Sequence, residues 1–265
     1  MPPRPEPDPM AAVVERVRRI TTENERLFRQ LIAGERRYRG LARAVWQVQE
    51  EERRRLARDL HDGLGQTLTA LKTQLARLEQ KAEDLAPALR ERLADSVELA
   101  GYALNETREM SRLLRPPVLD DLGLLPALSW LARTLDERAG LVVELRAEGF
   151  ERRLPPDLET LVFRVVQEAL TNVLKHSGVP RARVTLALRD GRIALTVSDR
   201  GAGFDTDAAR DERPGSGLRG MRDRVELFGG TFRIVSAPGE GTEVEAVVPL
   251  AGEEVEEEIV EEGAA

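Results

Sequence analysis

Residues 157–204 read DLETLVFRVVQEALTNVLKHSGVPRARVTLALRDGRIALTVSDRGAGF. Two periods meet in this stretch. Leu158, Leu161, Val162, Val165, Ala169, Leu170 and Val173 recur every three or four residues, which is one face of a helix, and predict a helix over 157–176. From 181 the period falls to two. Val184, Leu186 and Leu188 share one face, as do Ile193, Leu195, Val197 and Asp199, so 181–188 and 192–199 read as strands. Outward from there, 141–146 reads as a strand before the helix. A helix at 217–228 and strands at 231–236 and 242–248 follow, the last with Val244, Ala246 and Val248 on one face. The order strand, helix, strand, strand, helix, strand, strand, with adjacent strands and few helices, predicts an α+β two-layer sandwich.

The first half has no strand signal. Five prolines in residues 1–10 argue against a helix there. From Val13 the positions Val17, Ile20, Asn24, Leu27, Leu31, Gly34, Tyr38, Leu41, Val45 and Val48 follow at alternating steps of four and three. That heptad spacing predicts a coiled coil, with Asn24 able to fix register and Gly34 weakening the seam. The helical pattern runs on through Leu56, Leu60, Leu64, Leu68, Leu71, Leu75 and Leu78, breaks near Ala86-Pro87, and resumes from about Ala88 to Leu114. Pro116-Pro117 stops it, and Arg115 is biased away from helix by the proline after it. Two long helices with a short connection make an antiparallel hairpin. Its two-helix core is thin, so pairing of two copies into a four-helix bundle is expected. A linker containing a helix from Pro126 to Ala139 leads into the sandwich.

Composition narrows the chemistry. There are 265 residues and no cysteine, which excludes disulfides, thiolate metal sites and a catalytic thiol. His61 and His176 are the two histidines. No run approaches the roughly 20 apolar residues of a membrane span, and MPPRPEPDPM lacks the build of a signal peptide. A cytoplasmic protein without a membrane span is expected. The net charge is −7, but the tail GEEVEEEIVEEGAA (252–265) holds seven glutamates, and the rest of the chain sums to 0. Direct nucleic-acid binding is therefore not expected; the tail reads as a disordered solvating segment.

Four places could carry chemistry. His61 flanks the core position Leu60, and Asp62 could orient its ring and sharpen the other nitrogen. A surface histidine beside an ordinary acid fits as well. Gly63 and Gly65 each cost a helix about 1 kcal/mol relative to alanine, which hints at a steric need. On helix 157–176, Arg164, Glu168, Asn172 and Lys175 form one polar stripe. Glu168 and Asn172 offer hard oxygens suited to Mg²⁺, though a solvated face explains the stripe equally. Asp199 ends a buried row and needs a donor, for which an adenine amino group is suitable. A turn-capping aspartate is the plain alternative. Gly201 and Gly203 follow it and allow close backbone approach. Lastly, Gly215-Ser216-Gly217-Leu218 opens a helix whose N-terminus suits phosphate, after a polar, lid-like 205–216.

Together and in this order, the pieces resemble a two-component sensor histidine kinase, most closely the subfamily that pairs with LuxR-type response regulators. RRRLARDLHDGLGQTLTALK (53–72) is similar to its dimerisation and phosphoacceptor box, and LRPPVLDDLGLLPAL (114–128) to its connector. FRVVQEALTNVLKHSG (163–178) resembles the N box, SDRGAGF (198–204) the G1 box and GSGLRGMRDRVELFGG (215–230) the G2 region. GEGTEVEAVVPL (239–250) resembles the last strands of the GHKL ATPase fold. Asp223 stands where the family often has Glu, and no recognisable sensor domain precedes the coiled coil.

The resemblance implies a coiled-coil signalling helix (1–50), a dimerisation and histidine phosphotransfer domain (51–117), a connector with a GHKL two-layer α/β ATPase domain (118–250), and the acidic tail (251–265). It implies ATP and Mg²⁺, a homodimer, and a response-regulator receiver domain as partner. His61 would accept the γ-phosphoryl group, with Asp62 as base or orienter. Gln66 would act with Asp62 in a phosphatase reaction. Glu168 and Asn172 would place Mg²⁺ and the triphosphate, with Lys175 and His176 facing the phosphates. Asp199 would read adenine, helped by Gly201, Gly203 and Thr242, and Gly215, Gly217 and Leu218 would cover the phosphates. A GHKL-type serine kinase or anti-sigma regulator, or a non-catalytic dimer with a vestigial pocket, are the competing readings.

Overall fold

The computed structural model describes residues 9–81, 86–206 and 217–250. The chain divides into two compact units between Glu51 and Glu52. The first is supplied by helix α1 (Pro9–Asp59). It begins inside the proline-rich stretch, one correction to the expectation for 1–10, because proline at a first helical position forfeits only an N–H that has no partner anyway. Along it Val17, Leu27, Leu31, Leu41 and Val48 stand exposed.

In the second unit the helical course does not run on unbroken. Leu60–Leu64 forms a single π-helical turn, and α2 (Gly65–Gln80) follows. α3 (Pro87–Leu114) returns against α2. Ala57, Gly65, Ala100, Leu104 and Ser111 close the seam, and the Ser111 hydroxyl donates to the Ala57 carbonyl at 2.7 Å. The leucine stripe is not closed: Leu64 is 54% and Leu78 58% exposed.

Pro116-Pro117 ends α3 and also starts α4 (Pro117–Leu122), a short helix the sequence pattern did not anticipate. α5 (Leu124–Ala139) begins two residues before the expected Pro126. This connector is held by arginines. Arg115, 9% exposed, donates to both oxygens of Asp120, the shorter contact at 2.8 Å, and Arg54 reaches the same carboxylate at 2.9 Å. Burial pushes the Asp120 carboxyl upward, but the hydrogen bonds and charges of Arg115 and Arg54 together outweigh it and hold the group below the ordinary carboxylate range. The stability this confers is present above the unfolded-state value and is lost as pH falls through the lower folded one. Asp120→Asn is therefore expected to cost about 2 kcal/mol at neutral pH, below the roughly 3–5 kcal/mol of breaking a fully buried pair. Urea midpoints at pH 7 and at pH 3 check this, the difference between variant and wild type shrinking at the lower pH.

The sandwich follows. β1 (Val142–Glu148), β2 (Arg181–Arg189), β3 (Arg192–Asp199), β4 (Thr231–Ala237) and β5 (Gly241–Pro249) form one sheet in the order β1-β2-β3-β5-β4. β1 and β2 are parallel and the other pairs antiparallel. The register sets Val184, Val197 and Val244 side by side, and likewise Leu186, Leu195 and Ala246. These buried rows face α6 (Pro156–Asn172) and α7 (Gly217–Leu227).

α6 is buried on two faces. The expected apolar stripe packs inward, and Glu159, Thr160, Phe163 and Arg164 are buried as well. Arg164 thus parts from the polar stripe of Glu168, Asn172 and Lys175, on which its spacing places it. It is 5% exposed, donates to the Leu114 carbonyl at 2.6 Å and to Gln167 Oε1 at 2.8 Å, and ties α6 to the end of α3. Arg153 adds a second tie, donating to Glu159 at 2.8 Å and to the Leu119 carbonyl at 3.2 Å.

Candidate functional site

A cavity of about 680 Å³ opens between α6, β3, β5 and the start of α7. Its size suits a nucleotide-scale ligand. Val197, Val244, Ala169 and Val173 give it an apolar lining. Asp199, Thr242, Asn172 and His176 supply polar groups, and Gly203, Gly217 and Leu218 complete its rim. The helix from 157 does not stay α to its end. Val173–Ser177 winds as a second π-helical turn, which carries Lys175 and His176, both exposed. π-turns of this kind recur at functional sites, and here each of the two histidines lies on one.

Asp199 serves two ends. Its Oδ1 accepts the Gly201 N–H at 2.8 Å, which caps the turn, while the side chain lines the cavity. The turn is drawn tight against its neighbours. A Cβ on Gly201 would collide with the Ser177 carbonyl, whose oxygen accepts the Ala202 N–H at 2.8 Å. Gly203 has φ +58°, and a Cβ there would run into the Ala237 carbonyl. Thr242 is the direct cross-strand partner of Asp199, so register alone brings these two together.

Glu168 does not line the cavity, but its carboxylate lies against Gly217, where any Cβ would overlap it. It stands one helical turn before Asn172, which does line the cavity. α7 begins at Gly217, so its N-terminal N–H groups lie at the rim. Gly215 and the lid-like segment from 207 to 216 fall outside the described residues, as does the acidic tail.

His61, Asp62 and Gln66 are not in this cavity. They lie exposed on the hairpin, and no hydrogen bond joins His61 to Asp62 among the described residues. A Cβ on Gly63 would meet nothing within 4 Å, and one on Gly65 would make only an ordinary contact with the Leu60 carbonyl at 3.5 Å. Among the described residues no neighbour requires either glycine.

Sequence reasoning missed Ser177, Phe204 and Asp205 as lining residues. Phe204 and Asp205 sit just past Gly203, and Val197 and Val244 are the period-two neighbours of Asp199 and Thr242, so the strand pattern carried a signal for the apolar floor. Ser177 had none, because its placement depends on the π-turn.

A nucleotide-scale cavity with an apolar floor and Asp199 in its wall, on a chain that also carries a helical hairpin, defines a class: an ATPase-type α/β module joined to a helical hairpin. Family comparison agrees. Residues 52–119 match a histidine kinase family, and residues 157–252 match the histidine kinase-, DNA gyrase B-, and HSP90-like ATPases. Sensor histidine kinase MctS of Rhizobium johnstonii is 39% identical over 214 residues, covering 80% of this chain and 46% of the relative. The signal transduction histidine-protein kinase/phosphatase DegS of Brevibacillus brevis is 34% identical, covering 79% and 54%. Sensor histidine kinase LiaS of Bacillus subtilis is 34% identical, covering 80% and 59%. The chain spans about half the length of these relatives. By these two matched regions it belongs to the histidine kinases. Among the described residues, no helix is long and apolar enough to cross a membrane.

Proposed function

We propose that this chain transfers the γ-phosphoryl group of ATP to His61 and passes it to an aspartate on the receiver domain of a response regulator, one of LuxR-type output. The single observation that carries this reading is the cavity, where Asp199, Thr242 and Asn172 converge beside the α7 N-terminus.

ATP would lie there with its base toward Asp199 and Thr242 and its phosphates toward Asn172, Lys175, His176 and the α7 N-terminus, with Gly217 and Leu218 as cover. Mg²⁺ fits the donors too. Glu168 and Asn172 offer two hard oxygens one turn apart, and no cluster of three or more acidic or histidine ligands exists among the described residues. An ion that keeps waters and shares substrate phosphates needs no more. When bound, Mg²⁺ supplies charge neutralisation to the phosphates.

Catalysis is then mainly positioning. A ring nitrogen of His61 uses its lone pair to form the N–P bond. The bond from Pγ to the bridging oxygen breaks, ADP leaves with that electron pair, and the ring proton passes to Asp62 or to water. Because His61 lies outside the cavity, the ATPase domain must approach the hairpin. Gln66 and Asp62, on the same stretch, would orient a water to hydrolyse the P–O bond of the receiver's aspartyl phosphate, releasing inorganic phosphate, and DegS, named a kinase/phosphatase, offers a parallel.

The division of labour follows the sequence: 1–50 as coiled-coil signalling helix, 51–117 for dimerisation and phosphotransfer, 118–250 for connector and catalysis, 251–265 as solvating tail. The exposed Leu64, Leu71 and Leu78 favour a homodimer with a four-helix bundle. A cytoplasmic location suits a chain that uses ATP and meets a receiver domain.

The test is incubation with Mg-ATP labelled at the γ-position, then with receiver domains. Acid-labile, base-stable label that moves to a receiver is expected. No label, or acid-stable label on a serine, contradicts the reading. Gly63→Ala gives a second check. With open space at that position, it is expected to raise stability by up to about 1 kcal/mol and yet slow labelling, because the approaching domain meets the added methyl. Melting temperature and labelling rate measured together decide it.

A further inference from the structure

Ser236 does not line the cavity, yet its hydroxyl sits at the end of a row that does. Ser236 on β4 faces Thr242 on β5, and Thr242 faces Asp199 on β3, each pair directly opposite. The Ser236 hydroxyl makes three contacts. It receives the Phe204 N–H at 2.9 Å, donates to the Gly241 carbonyl at 2.8 Å, and lies 3.0 Å from Thr242 Oγ1.

A hydroxyl has one proton and two lone pairs. A carbonyl cannot donate, so the contact with Gly241 takes the one proton Ser236 owns. Phe204 takes one lone pair. Thr242 can then meet Ser236 only by donating its own proton. That leaves Thr242 Oγ1 with only lone pairs for the cavity, next to the carboxylate of Asp199. Placed together at position 6 of a purine, two acceptors suit a 6-amino group, which has two N–H donors, and oppose a 6-keto oxygen, which has none.

We propose that Ser236 is a specificity-determining positioning residue, which fixes the Thr242 hydroxyl as an acceptor and so makes the cavity select 6-amino over 6-oxo purine nucleotides. The inference rests on the ATP reading above. It goes beyond that reading by assigning the choice of base to a side chain that does not touch the nucleotide. Without the Ser236 hydroxyl, Thr242 is free to rotate and donate to a keto oxygen.

The test compares ATP with inosine triphosphate, which exchanges the 6-amino group for a 6-oxo group. Dissociation constants are measured on the full chain with Mg²⁺ for the wild type, Ser236→Ala and Ser236→Thr. Wild type is expected to prefer ATP, and Ser236→Ala to reduce that preference roughly tenfold, the scale of one hydrogen bond. Ser236→Thr, which keeps the hydroxyl, retains it. If Ser236→Ala does not fold, Ser236→Cys carries the same expectation, since a thiol is a weak donor and acceptor. Equal weakening of both nucleotides, with the ratio unmoved, overturns the inference and leaves the ATP reading standing. Failure of the wild type to bind ATP overturns both.

Discussion

His61→Ala yields a protein that folds, binds ATP as the wild type does, and acquires no transferable phosphate. The fold survives because the π-turn from Leu60 to Leu64 has no buried residue, and exposed substitutions of this kind usually shift stability by less than about 0.5 kcal/mol. Nucleotide binding survives because His61 is not part of the cavity. Only the acceptor is gone. Deleting the nucleophile from a covalent mechanism costs several orders of magnitude in rate, so labelling is expected to fall to the level of a reaction without protein. Labelling of the variant, with ATP affinity measured alongside, checks both halves. His176 is the one other histidine, and its place in the cavity wall makes it a neighbour of the nucleotide. Undiminished label in the variant would shift the assignment to it.

The second large effect is at Asp199. Asp199→Asn keeps an oxygen that can accept the Gly201 N–H, so the turn holds. What changes is the face toward the cavity, where an acceptor-only carboxylate becomes an amide able to present its own N–H groups. Against an adenine amino group that is a donor facing a donor. Hydrogen bonds to charged groups contribute about 1.5–3 kcal/mol, so ATP affinity is expected to fall about 100-fold with little change in thermal stability. Titration of the variant with ATP, followed by calorimetry or a fluorescent analogue, measures it. The loss belongs to binding, so labelling of His61 is expected to recover as ATP is raised.

Much of this site was legible from sequence because the informative patterns are local. A period of two placed Asp199 at the end of a buried row, and β3 does carry Ile193, Leu195 and Val197 inward before it. The helix from 157 was equally clear from its apolar spacing. The misses have a common physical origin. Arg164 is polar and falls on the same stripe as Glu168, so spacing alone puts it in solvent. Its burial comes from the connector, which lies over a second face of α6 and whose position no local pattern encodes. Pro116-Pro117 was read as a stop, and it is also a start, since a proline suits the first turn of α4. The two π-turns give no signature in composition. The row Ser236, Thr242 and Asp199 depends on the pairing of β4, β5 and β3, residues far apart in sequence whose register is fixed only once the sheet forms.

The central claim is that an exposed imidazole on the hairpin receives phosphorus from a nucleotide held in a separate cavity. The most direct measurement is to incubate the wild-type chain with Mg-ATP, digest at neutral to mildly alkaline pH, and locate the phosphate by fragmentation of the labelled peptide. Phosphate on His61, within RDLHDGLGQ, is the result the account requires. Phosphate confined to a serine, a threonine or His176, or none at all with ATP bound, contradicts it.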